Sequence, residues 1–213
     1  MTRPRVLLAD DHKIVTEGLR SLLDPEFELV GIVEDGRALV AAAKKLNPDV
    51  IVADISMPLL NGIEAVRQLK KAGMRAKVIF LTMHPDVAYA TRAFEAGASG
   101  FILKHSASSE LLAAIREALR GRTYITPMIA KDLMQAYKGG SQRRQKAAPQ
   151  LTPRQREVLQ LVAEGHSAKE IASVLSVSAR TVEFHKYRMM EELNLRSVAE
   201  LIQYAIKEGI ASV

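Results

Sequence analysis

Short apolar runs that do not alternate, separated by segments of helix length, constrain this chain more than any other feature it has. Arg5-Val-Leu-Leu-Ala9, Val50-Ile-Val-Ala53, Val78-Ile-Phe-Leu81 and Phe101-Ile-Leu103 read as strands buried on both faces of a sheet. The segments between repeat an apolar face at helical spacing. Val15, Leu19 and Leu22 form the first such face, Ala38, Leu39, Ala42 and Leu46 the second, and Ile63, Val66 and Leu69 the third. Val87, Ala90 and Phe94 mark the fourth, and Leu111, Leu112, Ile115 and Leu119 the fifth. The pattern is β-α five times over, which predicts an α/β fold: a doubly wound, five-stranded parallel sheet with right-handed crossovers.

Each run ends on a polar side chain. Asp10 and Asp11 follow the first, and Asp54, Thr82 and Lys104 follow the others. Parallel sheets collect their functional groups at the carboxyl ends of the strands, so these residues should converge although they lie far apart in the chain. Three carboxylates packed together repel and require a cation. All-oxygen ligands with room for water suit Mg²⁺. A metal beside Lys104 and the Thr82 hydroxyl can neutralise a phosphoryl group in transfer. Asp54 is the candidate nucleophile, because it stands alone on a central strand while Asp10 and Asp11 share one turn. Taken singly, an Asp after a strand caps a helix, a Lys is solvated and a Thr turns the chain. Their co-occurrence in this order carries the chemical reading.

These residues, with the loop Asp54-Ile-Ser-Met-Pro-Leu-Leu-Asn-Gly62, resemble the receiver domain of bacterial response regulators, a flavodoxin-like fold, over roughly the first 120 residues. The resemblance implies that Asp54 accepts a phosphoryl group from a sensor histidine kinase. It implies that Asp11, Asp54 and the backbone carbonyl of Ser56 hold Mg²⁺, with Asp10 assisting. Thr82 and Lys104 would contact the phosphoryl oxygens, and Phe101 would be the aromatic that turns inward on activation. One position departs from the pattern. Receivers often carry proline after the lysine on a cis bond, and here His105 follows Lys104. A non-proline cis bond costs about 3–4 kcal/mol, which puts that geometry in question.

Composition bounds the rest. A chain of 213 residues suffices for one large or two small domains. No apolar run approaches a membrane span, no signal-peptide core follows Met1, and there are no cysteines, so a cytoplasmic location is expected without disulfides or thiolate metal sites. The net charge of +6 is unevenly placed: residues 1–115 carry 14 basic and 14 acidic side chains, so the whole excess lies C-terminal. That is a weak footprint of polyanion binding.

From Lys138 to Gln150 the chain is polar, basic and aperiodic, which reads as a flexible linker. Beyond it, Thr152-Pro-Arg-Gln155, Ser167-Ala-Lys-Glu170 and Ser197-Val-Ala-Glu200 fit the capping box, and Ser178 can cap a further helix. Pro153 suits a first helical position, and Gly165 and Asn194 suit helix ends. Four helices are predicted, at about 153–164, 168–175, 179–193 and 198–208. The turn Leu175-Ser-Val-Ser178 joins two of them as a helix-turn-helix. On the third helix Val182, His185, Met189 and Leu193 share an apolar face. Arg180, Glu183, Phe184, Tyr187 and Glu191 lie opposite, flanked by Lys186 and Arg188. An exposed Phe and Tyr on a polar helix face call for a partner.

The segments Leu151-Thr-Pro-Arg-Gln-Arg-Glu-Val-Leu159, Gly165-His-Ser-Ala-Lys-Glu-Ile-Ala172 and Thr181-Val-Glu-Phe-His185 resemble the LuxR/NarL-type helix-turn-helix. The resemblance implies that the third helix enters the major groove of double-stranded DNA. Glu183, Phe184 and Tyr187 would face base edges, and Lys169, Arg180, Thr181, Lys186 and Arg188 would meet phosphates. His185 reads as packing, and His12, His84, His105 and His166 are assigned no chemistry. The whole resembles a NarL/FixJ-type response regulator: a receiver at 1–121, a linker with a short helix at 122–149 and a DNA-binding domain at 150–213. Phosphorylation would dimerise receivers or free the DNA-binding domain. The last helix, through Val198, Leu201, Ile202 and Ala205, would join a homodimer on DNA or pack within the monomer. A magnesium phosphohydrolase would share the strand-end Asp, but one common type needs a second Asp where Ser56 stands. A small-molecule sensor would lack the acidic and lysine set. The expectation is therefore a regulator, not an enzyme.

Overall fold

Four strands form where the apolar runs predict them, β1 (Arg5–Ala9), β3 (Val50–Asp54), β4 (Lys77–Thr82) and β5 (Gly100–Leu103), and β2 (Glu28–Val33) supplies the fifth of the β-α pattern. β3 is buried at every position, as a central parallel strand covered on both faces must be. The computed structural model of the protein describes residues 2–138 and 151–211, in two compact units, Met1–Gly140 and Ser141–Val213. In the first unit α1 (Lys13–Leu23), α2 (Gly36–Leu46), α3 (Gly62–Lys71), α4 (Val87–Glu95) and α5 (Ala107–Leu119) alternate with the strands. One core beneath the sheet takes Leu39 from α2, Val66 and Leu69 from α3 and Ala90 from α4. The opposite core takes Leu19 and Leu23 from α1 and Leu111 and Ile115 from α5.

The sheet has six strands, not the five expected from sequence, in the order β2-β1-β3-β4-β5-β6, and every pairing is parallel. The additional strand, β6 (Tyr124–Ile125), pairs with β5 through Gly100↔Tyr124 and Phe101↔Ile125. Two residues carry no periodicity, so this strand exists only because β5 offers an open edge. Then α6 (Pro127–Lys138) packs against α4, with Ile129 fully buried. No peptide bond among the described residues is cis, so Lys104 and His105 are joined in trans and open a short 3-10 turn, Lys104–Ser106.

Two glycines let the loop after β3 close tightly. A Cβ on Gly36 would stand 1.8 Å from the Leu60 carbonyl oxygen, and one on Gly62 would stand 2.1 Å from that of Asp54. Backbone meets backbone at both places, so only a hydrogen fits.

The second unit holds α7 (Pro153–Ala163), α8 (Ala168–Leu175), α9 (Ala179–Glu192) and α10 (Val198–Lys207). Thr152 with Gln155 and Ser167 with Glu170 form complete capping boxes. Ser197 caps Glu200, but the Glu200 carboxylate answers to the Arg196 N–H instead of the Ser197 N–H, so that box is half made. Gly165 and Asn194 both adopt positive φ, as the sequence predicts for helix ends. The flexible linker expected at 138–150 lies outside the described residues from 139 onward. Among the described residues no helix is long and apolar enough to cross a membrane.

Candidate functional site

The strand order places the chain reversal between β1 and β3, where ligands of doubly wound sheets bind. Asp10 follows β1, Asp54 ends β3, Thr82 ends β4 and Lys104 follows β5. Asp10, Asp54 and Thr82 are all buried. One local device orients all three: each side chain accepts the backbone N–H two residues further on. Asp10 Oδ1 accepts from His12 at 2.9 Å, Asp54 Oδ1 from Ser56 at 3.2 Å and Thr82 Oγ1 from His84 at 3.0 Å. Such turns let a short polar side chain replace a backbone acceptor and fix its own rotamer.

Lys104 unites the set. Its Nζ donates to Asp54 Oδ2 at 2.7 Å and forms an ion pair with Asp10 Oδ2 at 2.8 Å. Burial disfavours the ammonium, but the charge of Asp54, then the hydrogen bonds that the lysine donates to both carboxylates and the charge of Asp10, outweigh it and hold the Lys104 pKa above its ordinary value. The lysine therefore stays charged, able to meet an anion delivered to Asp54.

Asp10, Asp11, His12 and Asp54 each bring a ligand atom within 4.8 Å of the others. Asp10 Oδ2, buried against Lys104 Nζ at 2.8 Å, accepts nothing else among the described residues and keeps lone-pair capacity for a cation. The donor set fits a divalent ion with oxygen ligands and spare positions for water, as Mg²⁺ requires. His12 is an addition that sequence reasoning passed over: its Nδ1 lies 2.9 Å from Asp11 Oδ1 and 3.2 Å from Asp10 Oδ1. Phe101 is fully buried on β5, already turned inward.

A second tie was illegible. Thr126, just past β6, is buried, and its hydroxyl accepts the Leu103 N–H at 3.2 Å and donates to Glu110 Oε2 at 2.7 Å. The linker side of the unit is thus pinned one residue from Lys104. Nearby, His84 stacks on Tyr89 with ring centroids 5.2 Å apart, and the Arg92 guanidinium lies 5.2 Å from the Tyr89 ring.

In the second unit α8 and α9 meet through a turn in which Ser176 takes positive φ. Val182 and Met189 are buried, as expected for the apolar face of α9, while His185 and Leu193 are half-buried. Lys169, Arg180, Phe184, Tyr187 and Arg188 are exposed. The remaining expected contacts are partly engaged within the unit. The Thr181 hydroxyl meets Ser178 Oγ at 2.8 Å, and Glu183 forms an ion pair with Lys186 at 2.7 Å. Those two charged residues line a pocket with Val162, His166, Ile171 and Val198, to one side of the exposed face.

Residues 6–116 match the family described as response regulator receiver domain, and residues 149–205 match the family described as bacterial regulatory proteins, luxR family. The oxygen regulatory protein NreC of Staphylococcus carnosus is 34% identical over 213 residues, covering 97% of this chain and 98% of that protein. The RcsB response regulator of Salmonella typhimurium superposes with a TM-score of 0.66 at 29% identity, over 98% of this chain and 99% of that one. A complex of the two-component response regulator RcsB with DNA gives a TM-score of 0.60 at 29% identity, over 95% and 98%.

Proposed function

This chain belongs to the response regulators that join a receiver to a LuxR-type DNA-binding domain, and on that premise we propose that Asp54 is its phosphoryl acceptor and α9 its DNA-reading helix. It is a transcription regulator of a two-component system, not an enzyme. The observation that carries the acceptor assignment is the contact of Lys104 Nζ with both Asp54 and Asp10, on neighbouring strand ends, in a buried site. A sensor histidine kinase is the donor. Asp10, Asp11, Asp54 and the Ser56 backbone carbonyl would hold Mg²⁺, whose charge would offset that of the incoming phosphoryl oxygens. Asp54 attacks as the nucleophile, Lys104 meets one phosphoryl oxygen and Thr82 moves inward to meet another. Phe101 is fully buried, so in this reading it lies beside the space that Thr82 vacates without a further exposed-to-buried swing.

Domain limits of 1–121, 122–149 and 150–213 accompany this reading, as does a cytoplasmic location. Phosphorylation favours a homodimer that places two copies of α9 on operator half-sites. Leu201 and Ala205 of α10 are buried within the unit, whereas Val198 and Ile206 stay exposed and suit the dimer contact on DNA. Lys169 and Arg180, both exposed, are among the cations that would meet phosphate.

Incubation with a small acyl-phosphate donor and Mg²⁺ tests the acceptor directly. The wild-type chain should gain the mass of one phosphoryl group, and Asp54→Asn and Asp54→Ala should gain none. Labelling that survives in both variants, or steady turnover of the donor, would overturn the assignment.

A further inference from the structure

Arg180, Phe184, Tyr187 and Glu191 stand exposed on α9 as its sequence suggests, but two neighbouring positions depart from that reading. Glu183 turns aside, half-buried and paired to Lys186 at 2.7 Å. Arg188 takes its place beside Phe184 and Tyr187, with its side chain 58% exposed and its guanidinium carbon 6.0 Å from the Phe184 ring.

Arg188 is also held. Its Nε donates to Glu192 Oε1 at 2.8 Å. An i,i+4 pair of this kind on a bare helix surface is mobile and contributes little. Here the carboxylate is gripped from another helix, because Gln155 Nε2 donates to Glu192 Oε2 at 2.9 Å. Gln155 is itself immobile: it is 4% exposed, and its Oε1 accepts the Thr152 N–H at 2.7 Å to close the capping box of α7. A chain of hydrogen bonds thus runs from the α7 N-terminus through Gln155 and Glu192 to Arg188. It occupies the Nε edge of the guanidinium. Among the described residues no hydrogen bond takes up either terminal NH₂ group of Arg188.

We propose that Arg188 reads a guanine in the major groove through its two terminal NH₂ groups, and that Glu192 and Gln155 are the residues that position it. The inference rests on α9 being the DNA-reading helix. A planar fork presenting paired N–H donors matches guanine O6 and N7, the contact arginine makes most often to a base. A carboxylate near DNA opposes binding through its charge. What Glu192 supplies in exchange is orientation: an arginine already fixed in one rotamer loses less freedom on binding, and a wrongly placed base cannot be met by a swing of the side chain. A phosphate contact needs no such fixing, since a swinging point charge serves it equally well.

Selection from a pool of duplex DNA with a randomised core, using the full-length protein treated with acyl-phosphate donor and Mg²⁺, supplies the test. The wild type should enrich a sequence containing guanine at a position that Arg188→Lys no longer selects, with the rest of the sequence kept. Arg188→Lys keeps the charge, so its salt dependence should match the wild type while its preference for that guanine falls by roughly 5- to 150-fold. Glu192→Gln and Gln155→Glu should weaken selection at the same position and at no other. Gln155→Glu keeps the acceptor for Thr152 and removes the donor to Glu192, so a thermal melt matching the wild type separates positioning from folding. The inference is overturned if Arg188→Lys leaves every position unchanged. It is overturned equally if Arg188→Ala weakens all sequences alike while lowering the salt slope by about one, the signature of a phosphate contact. If Phe184→Ala and Tyr187→Ala leave the selected sequence intact, the assignment of α9 itself has failed, and this inference falls with it.

Discussion

Gly62→Ala is the substitution through which packing and phosphorylation can be read together. A methyl group at this position would lie 2.1 Å from the Asp54 carbonyl oxygen, 3.1 Å from the Asp54 carbonyl carbon and 3.2 Å from Ile55 Cα. Carbon and carbonyl oxygen approach to about 3.3 Å in ordinary close contact, so the two backbones must part by about an ångström. Neither can do so freely. Asp54 is the last residue of β3, paired with Leu81 of β4, and the Gly62 N–H donates to the Ile55 carbonyl at 2.9 Å. Overpacking against backbone of this kind costs about 1–3 kcal/mol, a large part of the roughly 5–15 kcal/mol that holds a domain together. With a urea dependence of about 1–3 kcal/mol per molar, the midpoint for the first unit should fall by roughly 1 M. The same displacement moves the acceptor carboxylate. Misplacement of a reacting group by about 1 Å can slow a reaction on the order of 100-fold, so phosphorylation should slow far more than stability alone implies. The measurements are a urea titration followed by circular dichroism and a time course of mass gain with a small acyl-phosphate donor. Gly18→Ala is the control of opposite sign: no neighbour lies within 4 Å of that position in α1, so it should stabilise by about 0.5–1 kcal/mol. A Gly62→Ala protein as stable as the wild type and phosphorylated at the same rate would refute the reasoning.

One further substitution and a titration probe the remaining ties. Thr126→Val keeps the shape but leaves the Leu103 N–H and the Glu110 carboxylate without their shared partner, which should cost the first unit about 1–3 kcal/mol. Hydrogen exchange at the Leu103 amide is the sharper readout, and unchanged protection there would remove the tie from consideration. Glu192 titrates below its ordinary value of 4.5, held down first by the Arg188 hydrogen bond and then by that from Gln155. Its contribution is therefore present above pH 4.5 and lost as pH falls through the lowered value. Carboxyl carbon NMR should give a midpoint below 4.5 in the wild type and a higher one in Arg188→Ala. Equal midpoints would mean that the pair does not persist in solution.

What the sequence determined by itself was whatever neighbouring residues decide. The runs Val50-Ile-Val-Ala53 and Val78-Ile-Phe-Leu81 could only be central strands, because an apolar segment without alternation needs cover on both faces. The polar residue ending each run was legible for the same reason, since a strand end in a parallel sheet is where the chain leaves the core. The ends of α7, α8 and α9 were equally open to reading, because Thr152, Ser167 and Ser178 cap N–H groups only three residues away. Tertiary structure decided what depends on where elements dock. The apolar face expected on α1 was Val15, Leu19 and Leu22. All three do pack on the core, and docking against the sheet adds Thr16 and Leu23 to the buried set while Ile14 stays exposed. β6 has two residues and no pattern, and it pairs only because the edge of β5 is near. The sharpest case is α9. Periodicity alone put Glu183 outward and Arg188 at a flank, yet Lys186 draws Glu183 aside, and Glu192, held by Gln155 from 37 residues away, brings Arg188 forward. A helical wheel fixes angles between side chains. The contacts that turn one arc of it toward solvent come from other helices, and only the folded unit supplies them.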